Sequence, residues 1–264
     1  MESSKNRYTK IIEKIFLNNY RAGGHEVIFK REDIERVAKE LKIILPKNLG
    51  DLVYSFRYRA DLPESIIKKA PKGRQWIIRP KGKAIYAFVA AGLTNIVPQS
   101  MAEIKIPDST PGIIAKYALS DEQALLAKVR YNRLVDMFTG ITCYSLQSHL
   151  RTSIADMGQV ETDEIYIGLD RHGAHYVIPV QAKGKKDKLG VVQIEQDFAL
   201  CKEKFPSLLC RPIASQFMND HTIAMFELEE TDDGIKISVE RHYRLVPQEQ
   251  MTEKDLEEYK KHII

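Results

Sequence analysis

The sequence predicts a mixed α/β (α+β) protein in two parts, an N-terminal helical module closed by a basic hairpin and a larger core whose mixed sheet is flanked by helices. Three observations carry that expectation. Apolar residues recur at helical spacing over 7–20 and 31–41. Runs that read as strands lie at 159–168, 175–184, 212–218, 221–228 and 235–240, bounded by Gly, Pro and Asp turns. The charge is also divided. Residues 1–95 hold 20 Lys and Arg against 10 Asp and Glu, and residues 96–264 hold 20 against 26, so a net +4 conceals +10 and −6. Such asymmetry suggests that the first part faces a polyanion.

Tyr8, Ile11, Ile12, Ile15, Phe16 and Leu17 form the stripe of a first helix, stopped at Arg21 to Gly24. A strand-like run, His25 to Phe29, leads to a second helix through Ile34, Val37, Ala38 and Leu41. A third is expected from about Asn48 to Tyr58. It carries Tyr54, Arg57 and Tyr58, followed by Arg59, aromatic and guanidinium groups suited to phosphate and base-edge contact. Gln75 to Arg79 and Ala84 to Phe88 read as strands around a turn bearing Lys81 and Lys83. Three helices and a basic hairpin look like a winged helix, with the third helix as groove reader and the Lys81–Lys83 turn as a wing on backbone phosphates. A plain helical domain is the competing reading.

Residues 91–120 show no long periodicity and contain Pro98, Pro107 and Pro111, so the connection between domains is expected there. The expected division is 1–95, a connecting segment 96–119, and a second domain 120–264. Ser120 is a candidate N-cap for a long helix through Leu125, Val129, Leu134 and Phe138, ended by Gly140. A further helix is expected over Cys143 to Arg151. After the central strands, Leu189 to Lys204 reads as a helix and Thr252 caps a charged C-terminal one.

The two central strands carry polar residues where buried strands should not. With side chains alternating between faces, Glu161 and Asp163 share one face of the first strand, and Gln181 and Lys183 share one face of the second. Arg171 to Ala174, with a Gly, reads as the hairpin turn between them, which brings the carboxylates near the lysine. Two carboxylates hold a hard cation such as Mg²⁺, an amide oxygen can assist, and an ammonium offsets charge on a phosphoryl group. That set suits metal-assisted phosphodiester hydrolysis. An ordinary hairpin with a surface ion pair is the bland alternative.

At these residues the stretch resembles the PD-(D/E)XK nuclease superfamily, which includes most type II restriction endonucleases. The resemblance implies that Asp163 matches the motif's first aspartate, that Gln181, Ala182 and Lys183 match the (D/E)XK element, and that Lys183 is the catalytic lysine. Thr162 stands where the motif has proline, Gln181 where it has an acid, and Glu161 is the candidate for the missing charge. Asp163, Glu161 and Gln181 are thus the expected ligands of Mg²⁺, for which Mn²⁺ can substitute. A helix after the lysine strand also belongs to that core, and its Gln193 and Gln196 are auxiliary candidates for a metal-bound water or a phosphate. Asp136 and Glu122 are candidates for one further acid, although surface positions are expected for both. Gln147, His149 and Arg151 lie just upstream; Arg151 could meet DNA phosphate, and a lone histidine is more often structural. By resemblance the expected partners are double-stranded DNA, a second copy in a homodimer, and a companion DNA methyltransferase encoded separately. A non-catalytic winged-helix regulator and a repair or transposition nuclease of the same superfamily stay open.

No run of eighteen apolar residues occurs and the N-terminus lacks an apolar signal core, so a cytoplasmic protein with no membrane partner is expected. Cys143, Cys201 and Cys210 have neither Cys-x-x-Cys spacing nor companion histidines, which argues against a zinc site and a disulfide framework. Walker-type and dinucleotide glycine loops are absent from the sequence.

Overall fold

The computed structural model describes residues 4–45, 49–58, 60–92, 96–117, 121–155, 157–185, 187, 189–219, 221–232 and 234–261. The first elements are α1 (Ser4–Asn19), β1 (Glu26–Lys30), α2 (Arg31–Glu40), α3 (Gly50–Tyr58), the single turn α4 (Glu64–Ile67), β2 (Arg74–Pro80) and β3 (Ile85–Gly92). The three strands form an antiparallel sheet in the order β1-β3-β2. The apolar stripes foreseen in α1 and α2 supply its core: Ile11, Ile12, Ile15 and Phe16 pack with Ile34, Val37, Leu52, Trp76 and Phe88. Phe16 meets Trp76 and Phe88 edge-on, each with ring centroids 5.1 Å apart. Helix α2 begins where Asp33 reaches back to accept the Lys30 N–H at 2.7 Å, which satisfies a donor the helix itself leaves unpaired.

The second part comprises β4 (Glu103–Pro107), α5 (Gly112–Tyr117), α6 (Asp121–Tyr131), α7 (Leu134–Thr139), β5 (Thr142–Ile154), β6 (Gly158–Leu169), β7 (His175–Lys183), α8 (Val191–Lys204), β8 (Leu209–Cys210), β9 (Ile213–Phe217), β10 (Thr222–Thr231), β11 (Gly234–Val246) and α9 (Glu253–Lys260). Its eight strands make one mixed sheet in the order β4-β11-β10-β9-β7-β6-β5, with the two-residue β8 beside β7. β4 runs parallel to β11 and β9 parallel to β7, whereas the β5-β6-β7 and β9-β10-β11 neighbours are antiparallel. Helices α6 and α7 cover one face through Leu125, Val129, Leu134 and Val135 against Tyr166, Ile178, Val180 and Ile213. Helix α8 covers the other, with Ile194 on Ala214 and Phe226, and Leu200 and Cys201 on Val160, Ile165 and Val177. Helices on both faces explain why β7 reads as an almost continuous apolar run.

Three expectations are corrected here. The segment 96–119 is not an irregular connection, because β4 adds an edge strand to the large sheet and α5 follows it. The long helix after residue 120 is two helices. Arg133 takes a left-handed conformation (φ 50°), and the buried Asn132 bonds Lys128 O, Thr110 Oγ1, Asp108 Oδ1 and the Ser109 N–H, which ties the approach segment to the break. Residues 143–151 are strand, not helix: β5 pairs with β6 from Thr142↔Leu169 to Ile154↔Gly158. As the outermost strand with both faces mostly exposed, it lacks the alternation that marks a half-buried strand. The proposed N-cap Ser120 lies outside the described residues. No helix of the described residues is long and apolar enough to cross a membrane.

Candidate functional site

The hairpin β6–β7 is built at its turn and opened at its far end. Asp170 accepts the N–H groups of His172 and Ala174 at 2.8 and 2.9 Å and the Tyr176 hydroxyl at 3.1 Å, and Gly173 supplies the left-handed residue (φ 83°). From Leu169↔His175 the ladder runs to Glu164↔Val180 and ends there among the described residues, although both strands continue. In its place Asp163 Oδ2 accepts the Ala182 N–H at 2.8 Å. A side-chain carboxylate has replaced a ladder carbonyl.

The same residue interrupts the pairing on its other side. Ser148↔Glu164 and Leu150↔Thr162 are paired, but the pair between them, His149 with Asp163, is missing and His149 is left-handed (φ 49°). Strict alternation also fails here. Val160 and Thr162 face α8, Glu164 and Tyr166 face α6, and Ile165 faces α8 again. The simple two-face assignment of residues 161–169 therefore holds only on the turn side of Asp163.

Charged groups gather at this opening. Lys183, its side chain only 13% exposed, places Nζ 3.3 Å from Glu122 Oε1 at the start of α6. Burial raises the Asp163 pKa above the ordinary carboxylate value; the Ala182 N–H and the charges of Lys183 and His149 oppose that rise, while Glu122 adds to it. Glu122, expected at the surface, is thus half-exposed but part of the Asp163–Lys183 group. Asp136 is not, since its carboxylate accepts the Cys143 N–H at 2.9 Å beside Arg133.

Gln181 lies beneath this group, buried, with Nε2 3.0 Å from both carboxylate oxygens of Asp197 on α8 and 3.3 Å from Thr162 Oγ1. Asp197 is itself buried, and burial raises its pKa to about 8, with the Asp163 charge adding to the rise and the Gln181 and Thr162 hydrogen bonds opposing it. Two acids pushed upward side by side, next to a lysine, are what functional sites tend to contain. Sequence reading placed Asp197 on the helix but gave it no role. Its signal was present: an acid at the spacing of the buried stripe formed by Val192 and Leu200.

No protein-family model, curated protein or solved structure matches the chain.

Several expected site residues lie elsewhere. Glu161 turns its carboxylate to Arg151 on β5, at 3.0 Å, because the exposed guanidinium stands directly across the β5–β6 pair. Gln193 accepts the Gly190 N–H at 3.4 Å and so serves the first turn of α8. Gln196 is buried and faces a groove that it lines with Arg57, Arg79, Val192 and Glu195. In the N-terminal module α3 packs against β2 and α8, with Arg57 half-buried and Tyr54 partly exposed. Lys81 is paired with Glu26 at 2.6 Å, and Lys83 is exposed. Arg59 and the Tyr58 side chain lie outside the described residues. Arg79 grips Glu195 of α8 with both Nε and a terminal nitrogen, Nε to Oε2 at 2.9 Å, which joins the module to the core.

Among the described residues no group of three or more His, Cys, Asp or Glu side chains is placed to hold a metal ion. Mg²⁺ does not require one, since it keeps several waters and takes one or two carboxylates together with substrate phosphate. At the opening the two carboxylates are those of Asp163, on which the charges of Lys183 and Glu122 act, and Glu122, which pairs with Lys183. The expected set of Asp163, Glu161 and Gln181 is not brought together, because Glu161 is held by Arg151 and Gln181 is turned to Asp197.

Proposed function

We propose that the chain is a metal-dependent endonuclease that hydrolyses phosphodiester bonds in duplex DNA, in the manner of the PD-(D/E)XK nucleases it resembles. The observation that carries this reading is that Asp163 accepts the Ala182 N–H where the β6–β7 ladder stops, next to Lys183, whose ammonium pairs with Glu122. When bound, Mg²⁺ polarises the phosphoryl group and lowers the pKa of a coordinated water. Asp163 and Glu122 are the residues that would hold it. Lys183 offsets the negative charge that builds on phosphorus, and its low exposure strengthens that effect. Gln181, Thr162 and Asp197 act beneath, bracing the strand ends apart so that the Asp163 carboxylate stays in the opening.

The N-terminal order of helix, strand, two helices, a single helical turn and an antiparallel hairpin supports the winged-helix reading, with Lys83 at the wing as a phosphate contact. A restriction role, a homodimer and a separately encoded methyltransferase follow from the resemblance. Incubation with plasmid DNA and Mg²⁺ tests the core claim: the protein cuts and Lys183→Ala does not. Discrete fragments favour restriction over structure-selective repair or transposition.

One observation favours a second reading, a non-catalytic DNA-binding regulator. Gln181 stands at the acid position of the motif, and its amide is buried against Asp197 rather than directed at the opening. A regulator shifts plasmid DNA in a gel and leaves it uncut with Mg²⁺ or Mn²⁺.

A further inference from the structure

Four non-glycine residues among those described have positive φ: Lys42, Ala84, Arg133 and His149. Lys42 and Arg133 lie just past helix ends and Ala84 is in the β2–β3 turn, whereas His149 is inside a strand. A left-handed residue there breaks a ladder pair and costs conformational energy, and such outliers persist where the surroundings enforce them, often at functional sites. The flanking pairs Ser148↔Glu164 and Leu150↔Thr162 set His149 directly across from Asp163, and its charge is among those acting on that carboxylate. Lys183 approaches Asp163 from the opposite neighbour, β7. Asp163 is thus bracketed, with the lysine on one side and an exposed imidazole on the other.

Phosphoryl transfer places the attacking and leaving oxygens roughly in line on opposite sides of phosphorus. When the attacking water enters from the β7 side, beside Lys183, the leaving oxygen falls on the β5 side. We infer that His149 is a substrate-contacting residue of this centre, whose ring N–H donates a hydrogen bond to the scissile phosphate on its leaving-group side. The inference rests on the endonuclease reading and adds to it a residue that the motif does not contain. An N–H aimed at developing oxyanion charge is worth a large factor in rate, whereas a strained histidine with no contact to substrate is worth none.

The test compares His149→Gly with His149→Asn in the full chain, using plasmid DNA with Mg²⁺ and thermal unfolding of each variant. Glycine relieves the left-handed backbone but removes the donor; asparagine tolerates that backbone and keeps an N–H. His149→Gly should lower kcat about a hundredfold, leave KM within about threefold and raise Tm by about 2 °C. His149→Asn should restore kcat to within about tenfold of the parent protein. Parent-like kcat in His149→Gly, a lower Tm in that variant, or His149→Asn as slow as His149→Gly overturns the inference. Lys183→Ala run in parallel separates the two claims. If it is inactive while His149→Gly cuts normally, only the histidine role falls; if Lys183→Ala also cuts, the endonuclease centre falls and the histidine role with it.

Discussion

The two antiparallel hairpins β2–β3 and β6–β7 turn over segments of equal length, 81–85 and 170–174, and differ at their open ends. In β2–β3 every residue from Arg74↔Gly92 to Pro80↔Tyr86 is paired. In β6–β7 pairing stops at Glu164↔Val180, three residues short of Lys183, and a carboxylate fills the vacated acceptor position. The first hairpin commits its backbone to the ladder, and its side chains, led by Trp76, to a core. In the second the two strands part after that pair: Gln181 to Lys183 pair instead with β9, Thr162 and Glu161 with β5, and the gap between them is bridged by side-chain contacts of Asp163 and Gln181. A complete ladder makes a scaffold, and an interrupted one makes room for a site.

Substitutions can break this contrast. The largest effect is expected at the interrupted end: Lys183→Ala should reduce DNA cleavage about 10³-fold or more while shifting Tm by less than about 2 °C, measured by plasmid nicking and thermal unfolding. Equal cleavage would erase the functional half of the comparison. Trp76→Ala should behave oppositely, lowering stability by about 3–5 kcal/mol in denaturant unfolding through loss of buried packing with Phe16 and Tyr20.

A moderate effect concerns pH. Asp197 holds its proton more tightly when folded, with a pKa of about 8. The unfolded chain releases that proton near pH 4, as a free carboxyl does. The folded state therefore binds more protons between these limits, so the contribution is complete below about pH 4 and is lost as pH rises through about 8. The parent protein should lose stability over that window in a series of unfolding curves, and Asp197→Asn should flatten the loss. A parallel decline in both proteins removes Asp197 as its source. The smallest effect belongs to the paired hairpin: Lys81→Ala with Lys83→Ala should reduce the salt dependence of DNA binding by about one slope unit per lost phosphate contact. An unchanged slope in titrations at several salt concentrations removes the wing from the contact surface.

Local pattern made the first helices, both hairpins, α8 and the later strands legible, because each carries an apolar stripe or alternation of its own. Residues 142–154 were misread because an exposed edge strand has no such pattern and its pairing with β6 is a long-range fact. The break at Asn132 and Arg133 depends on Asp108 and Thr110, more than twenty residues earlier. Asp163 and Lys183 were identified from spacing, and the structure brings them into one electrostatic group. Glu122 owes its place to helix packing, which residue spacing does not report, whereas Asp197 sits at the spacing of the buried α8 stripe and could have been read from it. Glu161 shows the opposite error, since sharing a strand parity with Asp163 counts for little once Arg151 stands closer.

Helix α8 touches both halves of the molecule, through Glu195 to Arg79 and through Asp197 to Gln181. Those two positions point about 160° apart around the helix. One helix thus carries on one side the ion pair that fastens the N-terminal module and on the other the carboxyl that holds the Gln181 amide.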